Sequence, residues 1–232
     1  MEEKYKDLFD ASYAVFVSSF SVEDGKEVKN RWETSRVPYR ACKNKKNIAA
    51  DIISWDYHVF SIFRRTTEEG ARYYVVDFDS HCPRTTDEGL GDWARYGIDL
   101  TTYVQDTFLY DAKIPNLNIL FIASLEGIRF RVLTAAEYLT WCRSDRSHMI
   151  APKSKPPRYT APPPSYPPIL TSHPSSPPEE LEKFRKAAEQ YPKIFTETDG
   201  NNLVCFINMS NRTFPGVVCR RRELIPFFQS QK

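Results

Sequence analysis

Residues 152–178 carry 11 of the chain's 17 prolines, including the run in APPPSYPPI. Proline fixes φ, has no N–H to donate and is excluded from helix interiors and central strands. The stretch therefore reads as an extended segment of polyproline II character, and the core must be assembled from what lies on either side. The expected organisation is one domain, with a core over residues 1–151, the proline-rich segment packed on it over 152–178, and a C-terminal part of the same domain over 179–232. Such a segment is also what SH3 and WW domains read; a docked arm resists proteolysis, whereas a ligand arm is nicked first.

Before that segment, apolar runs bounded by turn residues predict three β-rich blocks. The first is residues 13–20 (YAVFVSSF), and the second is a hairpin of residues 56–64 and 72–79. The third is residues 118–123 followed by 129–133. Residues 99–108 (DLTTYVQDTF) read as helical or irregular. Thr134 and Glu137 have capping-box spacing, which predicts a short helix to about Cys142. A helix is expected over residues 176–190, where proline opens the run and lysines close it. A short strand, LVCFIN, and a basic aromatic tail with Arg220, Arg221 and Arg222 as a solvated run complete the chain. The sum is an α+β protein with a mainly antiparallel sheet.

With 32 basic and 30 acidic residues, the formal charge of +2 gives no electrostatic footprint for nucleic acid. The five cysteines are scattered, without CxxC or Cys/His ligand spacing, which suits a reducing compartment. The charged start MEEKYKDLFD lacks an apolar signal core, and no apolar run reaches the ~20 residues of a membrane span. The expected location is cytoplasmic or also nuclear, with no membrane partner.

The motif SWDYHV places His58 on a strand face with Asp56, Phe60 and Ile62, opposite the face of Trp55, Tyr57 and Val59. If the hairpin turns at Thr67 and Glu68, His58 lies directly across from Asp77 in YYVVDFD, with Cβ atoms ~5 Å apart. An imidazole held by a carboxylate is the orienting half of a Cys-His-Asp or Ser-His-Asp triad. Taken alone, the plainer reading is a satisfied structural pair, since ion pairs also occur in ordinary sheets. A slip of one residue would remove the match.

SWDYHV, VVDFD, TTYVQDTF, SDRSHM and PPPSYPPI, in that order, resemble the eukaryotic protein N-terminal glutamine amidohydrolases. YAVFVSS, Trp32 in NRW and the FPGVVCRRREL tail extend the resemblance from Tyr13 to Phe228. It implies a papain- or transglutaminase-like α+β fold, a Cys-His-Asp triad, no metal or cofactor, and a monomer. Its partners would be proteins or peptides that begin with glutamine, deamidated to N-terminal glutamate for arginyl transfer in the N-degron pathway. His58 and Asp77 match the family's histidine and aspartate. A thiolate made by the imidazole would attack the carboxamide, the imidazolium would protonate the departing ammonia, and water would release the thioester.

The family's nucleophilic cysteine lies upstream of the YAVF strand, and the 12 residues before Tyr13, MEEKYKDLFDAS, contain none. Three expectations compete: a start placed downstream of the cysteine, a non-catalytic binder of N-terminal glutamine, or a relocated thiol. Cys42 in RACKNKKN is the one cysteine before His58, and its plainer reading is a loop cysteine among surface lysines. Cys82 is close to Asp77 in sequence but badly placed to attack. This chain is expected to have little or no deamidase activity.

For the substrate pocket the candidates are Asp79, Asp145, Arg146, Ser147 and His148. The last four belong to SDRSHM, where a loop clamp built on Arg146 is the structural alternative. Asp79 is read as binding the substrate's amino group or capping a turn. Tyr103 and Asp106 are read as pocket wall or, for the tyrosine, core. Trp55 and Tyr57 are read as core on the far face of their strand.

Overall fold

The expected first strand forms as β1 (Ala11–Ser19), and it lies inside a six-stranded antiparallel sheet rather than at its edge. The computed structural model describes residues 3–19, 22–23, 26–27, 37–43, 51–108, 126–144, 146, 149–151, 155–156, 158–160, 162, 202–210, 212 and 214–231. Two short ribbons follow β1: β2 (Val22–Glu23) with β3 (Lys26–Glu27), and β4 (Val37–Arg40) with β5 (Ile52–Trp55). The remaining strands are β6 (His58–Thr67), β7 (Gly70–Val76), β8 (Ile98–Asp99), β9 (Ile128–Thr134) and β10 (Val217–Arg220). The main sheet runs β10-β9-β1-β6-β7-β8, every described pair antiparallel.

Because β1 is paired on both sides, alternate residues face two different cores. Val15 and Val17 join His58's neighbours Phe60 and Ile62, with Val75, Ile128, Phe130 and Val132. This face is covered by α1 (Leu100–Thr107), by β4 through Val37 and Tyr39, and by Leu224 and Phe228 near the C-terminus. Ala14 and Phe16 point the other way, into a cluster with Trp141, Phe206, Met209 and Phe214. A third cluster on that side gathers Tyr5, Tyr74, Leu90 and Trp93. Between these two clusters runs an aromatic groove of about 660 Å³ lined by Tyr13, Val59, Phe63, Phe78, Trp93 and Tyr138.

The capping box is present: Thr134 accepts from Glu137 N at 3.1 Å and Glu137 accepts from Thr134 N at 2.8 Å, opening α2 (Ala135–Trp141). Asp99 caps α1 by accepting from Thr102 N at 2.9 Å. LVCFIN is not a strand. It forms α3 (Leu203–Ile207), because the position beside β9 is filled by β10 and the segment is drawn onto the back of β1. There Ser18 Oγ donates to Ile207 O at 2.6 Å, and Asn202 bridges to Arg143 N and Trp141 O. A five-residue apolar run has no period that separates the two choices.

The hairpin register also differs from expectation. Thr67 pairs with Gly70, so the turn is Glu68-Glu69 and Gly70 takes φ 122°, a conformation that glycine alone adopts freely. Every opposed pair moves by two residues, which keeps side-chain parity. β7 ends at Val76, one residue before Asp77. The chain closes with α4 (Leu224–Gln229), preceded by a 3-10 turn at Arg221–Glu223. The arginine run is not uniformly solvated: Arg221 is buried, donating to Phe108 O at 2.8 Å and to Glu126 Oε1 at 2.9 Å.

The expected strand at 118–123 and helix at 176–190 lie outside the described residues, as does most of the proline-rich segment. At its start, Ile150 bridges to Tyr159, and Thr160 N donates to Met149 O at 2.8 Å. No helix among the described residues is long and apolar enough to cross a membrane.

Candidate active site

His58 opens β6 and Asp77 follows β7, so the two sit at one end of adjacent strands. They meet diagonally rather than squarely across the ladder: His58 Nε2 lies 2.9 Å from Asp77 Oδ2. Both are buried, at 7% and 4% exposure, so the contact is shielded from water. Asp77 Oδ2 also accepts from Tyr39 Oη at 2.8 Å and Tyr103 Oη at 2.7 Å, while Oδ1 accepts from Asp79 N at 3.0 Å. Burial works to raise the Asp77 carboxyl, but the His58 hydrogen bond and charge and the two phenols outweigh it and hold it below the usual carboxylate range. The same contacts, with burial foremost, drive the Tyr39 and Tyr103 hydroxyls above the ordinary phenol value. Both phenols therefore remain donors.

The carboxylate fixes Nε2 as the protonated nitrogen of neutral His58 and leaves Nδ1 as the basic one. No described residue hydrogen-bonds Nδ1. The imidazole is walled by Tyr39, whose ring centroid is 4.9 Å away, and by Trp55, stacked at 6.0 Å. This corrects the reading of Trp55 as lying on the far face. Residues 56–57 break the strand between β5 and β6, so parity is not carried across them, and Trp55 turns to the His58 side. Tyr57 does pack in the opposite core.

These features coincide with a sequence relationship. A model of the N-terminal glutamine amidase family matches residues 33–228. The chain belongs to that family. It is 32% identical over 180 residues to the protein N-terminal glutamine amidohydrolase of Bos taurus, covering 77% of this chain and 62% of the relative. Against the protein of the same name from Caenorhabditis briggsae it is 31% identical over 124 residues, 53% of this chain and 54% of the relative. The chain thus spans less than two thirds of the length of either curated relative.

In this family member, the other expected site residues divide. The Asp79 carboxylate is exposed, and one of its oxygens lies within 4.8 Å of both a His58 ring nitrogen and an Asp77 oxygen. Arg146 is half-buried in a left-handed conformation (φ 66°), with its carbonyl accepting from Met149 N. Asp145, Ser147 and His148 lie outside the described residues. Tyr103 proves to be both core and site.

Cys42 is not a surface-loop thiol. It is buried, at φ 61°, with its sulfur 2.7 Å from that of Cys82. That neighbour and burial push its thiol up, which argues against Cys42 as a nucleophile. Burial pushes Cys142, Cys205 and Cys219 up to about 11. No cysteine sulfur hydrogen-bonds His58. Two groups of metal-type donor atoms occur among the described residues, His58-Asp77-Asp79 and Cys42-Cys82-Asp106. In the first, Asp77 is already committed to four donors.

Tyr39 was not singled out by the sequence. It comes from VPYR, four residues with no motif, and reaches Asp77 only because the β4–β5 ribbon folds over the end of the sheet.

Proposed function

We propose that this chain forms the imidazole–carboxylate half of a thiol amidohydrolase that converts N-terminal glutamine to glutamate and ammonia. The observation that carries this is the buried His58–Asp77 contact of 2.9 Å, which leaves Nδ1 as the free base. A thiol placed at Nδ1 would lose its proton there and attack the glutamine carboxamide. The imidazolium, stabilised by Asp77, would then protonate the ammonia as the tetrahedral intermediate collapses to a thioester. His58 would next activate the water that releases glutamate. Asp79, exposed beside the dyad, would attract the substrate's α-ammonium group.

The cysteine completing the triad would come from the segment that the family resemblance places before β1, in a papain- or transglutaminase-like arrangement. The enzyme would work as a monomer in the cytoplasm or nucleus without a metal, its product entering the N-degron pathway by arginylation. Since no cysteine sulfur hydrogen-bonds His58, the 232 residues alone are expected to bind a Gln-initiated peptide without turnover. That is also the behaviour of a non-catalytic binder. An SH3- or WW-binding role for the proline-rich segment remains a reading of a different class.

The deciding experiment measures ammonia release from a Gln-initiated peptide, with an internal-glutamine peptide as control. The chain is assayed alone and joined to the cysteine-bearing N-terminal segment of the family. Activity should appear only in the joined protein and fall by at least about 10³-fold in His58→Ala. Activity that survives His58→Ala would rule out the mechanism. An inactive joined protein that still binds the peptide would favour the binder.

A further inference from the structure

We propose that Cys42 and Cys82 form a dithiol site that a hydroperoxide closes to a disulfide, tying the exit of β4 to the segment that follows Asp77. The two sulfurs lie 2.7 Å apart, inside ordinary non-bonded contact, although 40 positions separate them in the chain. Their backbones are already aligned, since His81 N donates to Ala41 O at 2.8 Å. On the other side Ala41 N donates to Asp51 O at 3.1 Å and Lys43 N to Asp51 Oδ1 at 3.0 Å, which fixes the Cys42 loop. Cys82 is held by its N–H to Ser80 Oγ at 3.2 Å, with Thr107 Oγ1 3.6 Å from its sulfur.

Asp106 also lies in this cluster, which raises the alternative of a bound metal. Two thiolates on a tetrahedral zinc stand about 3.8 Å apart, given Zn–S bonds of ~2.3 Å. The sulfurs here would have to separate by about an ångström for the metal but approach by less than that for a bond of ~2.05 Å. Arg40, whose guanidinium lies 4.0 Å from the Asp106 carboxylate, further disfavours a cation.

The chemistry balances without another reductant. Proximity to Cys42 holds the Cys82 thiol down to about 7, so Cys82 is the thiolate of the pair. Its sulfur attacks one oxygen of hydrogen peroxide, the O–O bond breaks, and the departing hydroxide takes a proton to become water. Cys42 sulfur then attacks the Cys82 sulfenic acid. The S–O bond breaks and the hydroxyl leaves as water with the Cys42 proton, so two thiols lose two electrons and one peroxide becomes two waters. Cys42 and Cys82 are only 8% and 2% exposed, which admits a peroxide in preference to a bulky disulfide.

The test uses the full chain and does not depend on its activity. Reduced protein is treated with hydrogen peroxide, its remaining thiols are alkylated, and it is digested with trypsin without reduction. Of five cysteines, two should escape alkylation, leaving three blocked. A cross-linked pair of residues 41–43 and 73–84 should be found by mass spectrometry and disappear on treatment with dithiothreitol. The unfolding midpoint of the oxidised protein should rise by on the order of 10 °C, as closing a long loop does. Cys42→Ser and Cys82→Ser should each abolish both the cross-link and the rise. Five alkylated cysteines after peroxide, sulfinic acid at Cys82 without a cross-link, pairing with another cysteine, or stoichiometric zinc in the purified protein would each overturn the proposal. These outcomes are read from wild-type protein and hold even if a variant fails to fold.

Discussion

Asp77 gathers donors from β4, β6, α1 and its own turn, and no other described carboxylate joins so many parts of the fold at His58. Removing one phenol by Tyr39→Phe or Tyr103→Phe takes a hydrogen bond from a buried charge and should cost about 1.5–3 kcal/mol in urea unfolding. The pH dependence follows from the depressed Asp77 carboxyl. A group with a lowered folded value contributes stability that is complete above its unfolded value, near 4, and is lost as pH falls through the folded one. The stability difference between wild type and Asp77→Asn should therefore be full at pH 5–7 and shrink as pH falls below the unfolded carboxylate value near 4. A difference that stays constant as pH falls would contradict the assignment. Much of this is readable from residue types alone: parity puts His58 and Asp77 on one face, and a two-residue offset in the hairpin register preserves parity, so the two side chains still meet. Tyr39 was not readable, because its role depends on a ribbon crossing the sheet end rather than on any local spacing.

Elements defined by local chemistry were the most legible ones. The Thr134 capping box gives α2 directly, and Thr134→Ala should cost about 1 kcal/mol by thermal unfolding. Elements chosen by competition for a surface were not. LVCFIN would serve as strand or helix, and β10 occupying the edge of β9 decides the matter. Arg131 shows a related long-range debt to packing. Fully buried in β9, it donates to the carbonyls of Phe206, Asn208, Phe214 and Pro215, holding the loop between α3 and β10 onto the sheet, while burial lowers it to about 10. Arg131→Met leaves four carbonyls without this donor and should destabilise by about 3 kcal/mol or more. At Gly216 a Cβ would stand 2.7 Å from Val132 O on a backbone at φ 87°. Gly216→Ala should accordingly lower the unfolding midpoint by several degrees without changing α2, as followed by circular dichroism.

At the scale of the molecule, the last described residues complete the core begun by the first. Phe228 of α4 packs against Tyr13 of β1 and Tyr73 of β7, with ring centroids 5.1 and 5.0 Å apart. Removing residues 217–232 would strip β10 and α4 from the His58 face, and the remaining chain should lose its cooperative thermal transition. The position of β1 has a further consequence during synthesis. Its pairing with β6 joins Val17 to His58, and its pairing with β9 joins Tyr13 to Thr134. A ribosome adding roughly 5–20 residues per second would hold this strand, apolar on both faces, without its second neighbour for on the order of 6–24 s. Nascent chains stalled before β9 should therefore be bound by chaperones and cut readily by protease, and both signs should fade once β9 has left the exit tunnel.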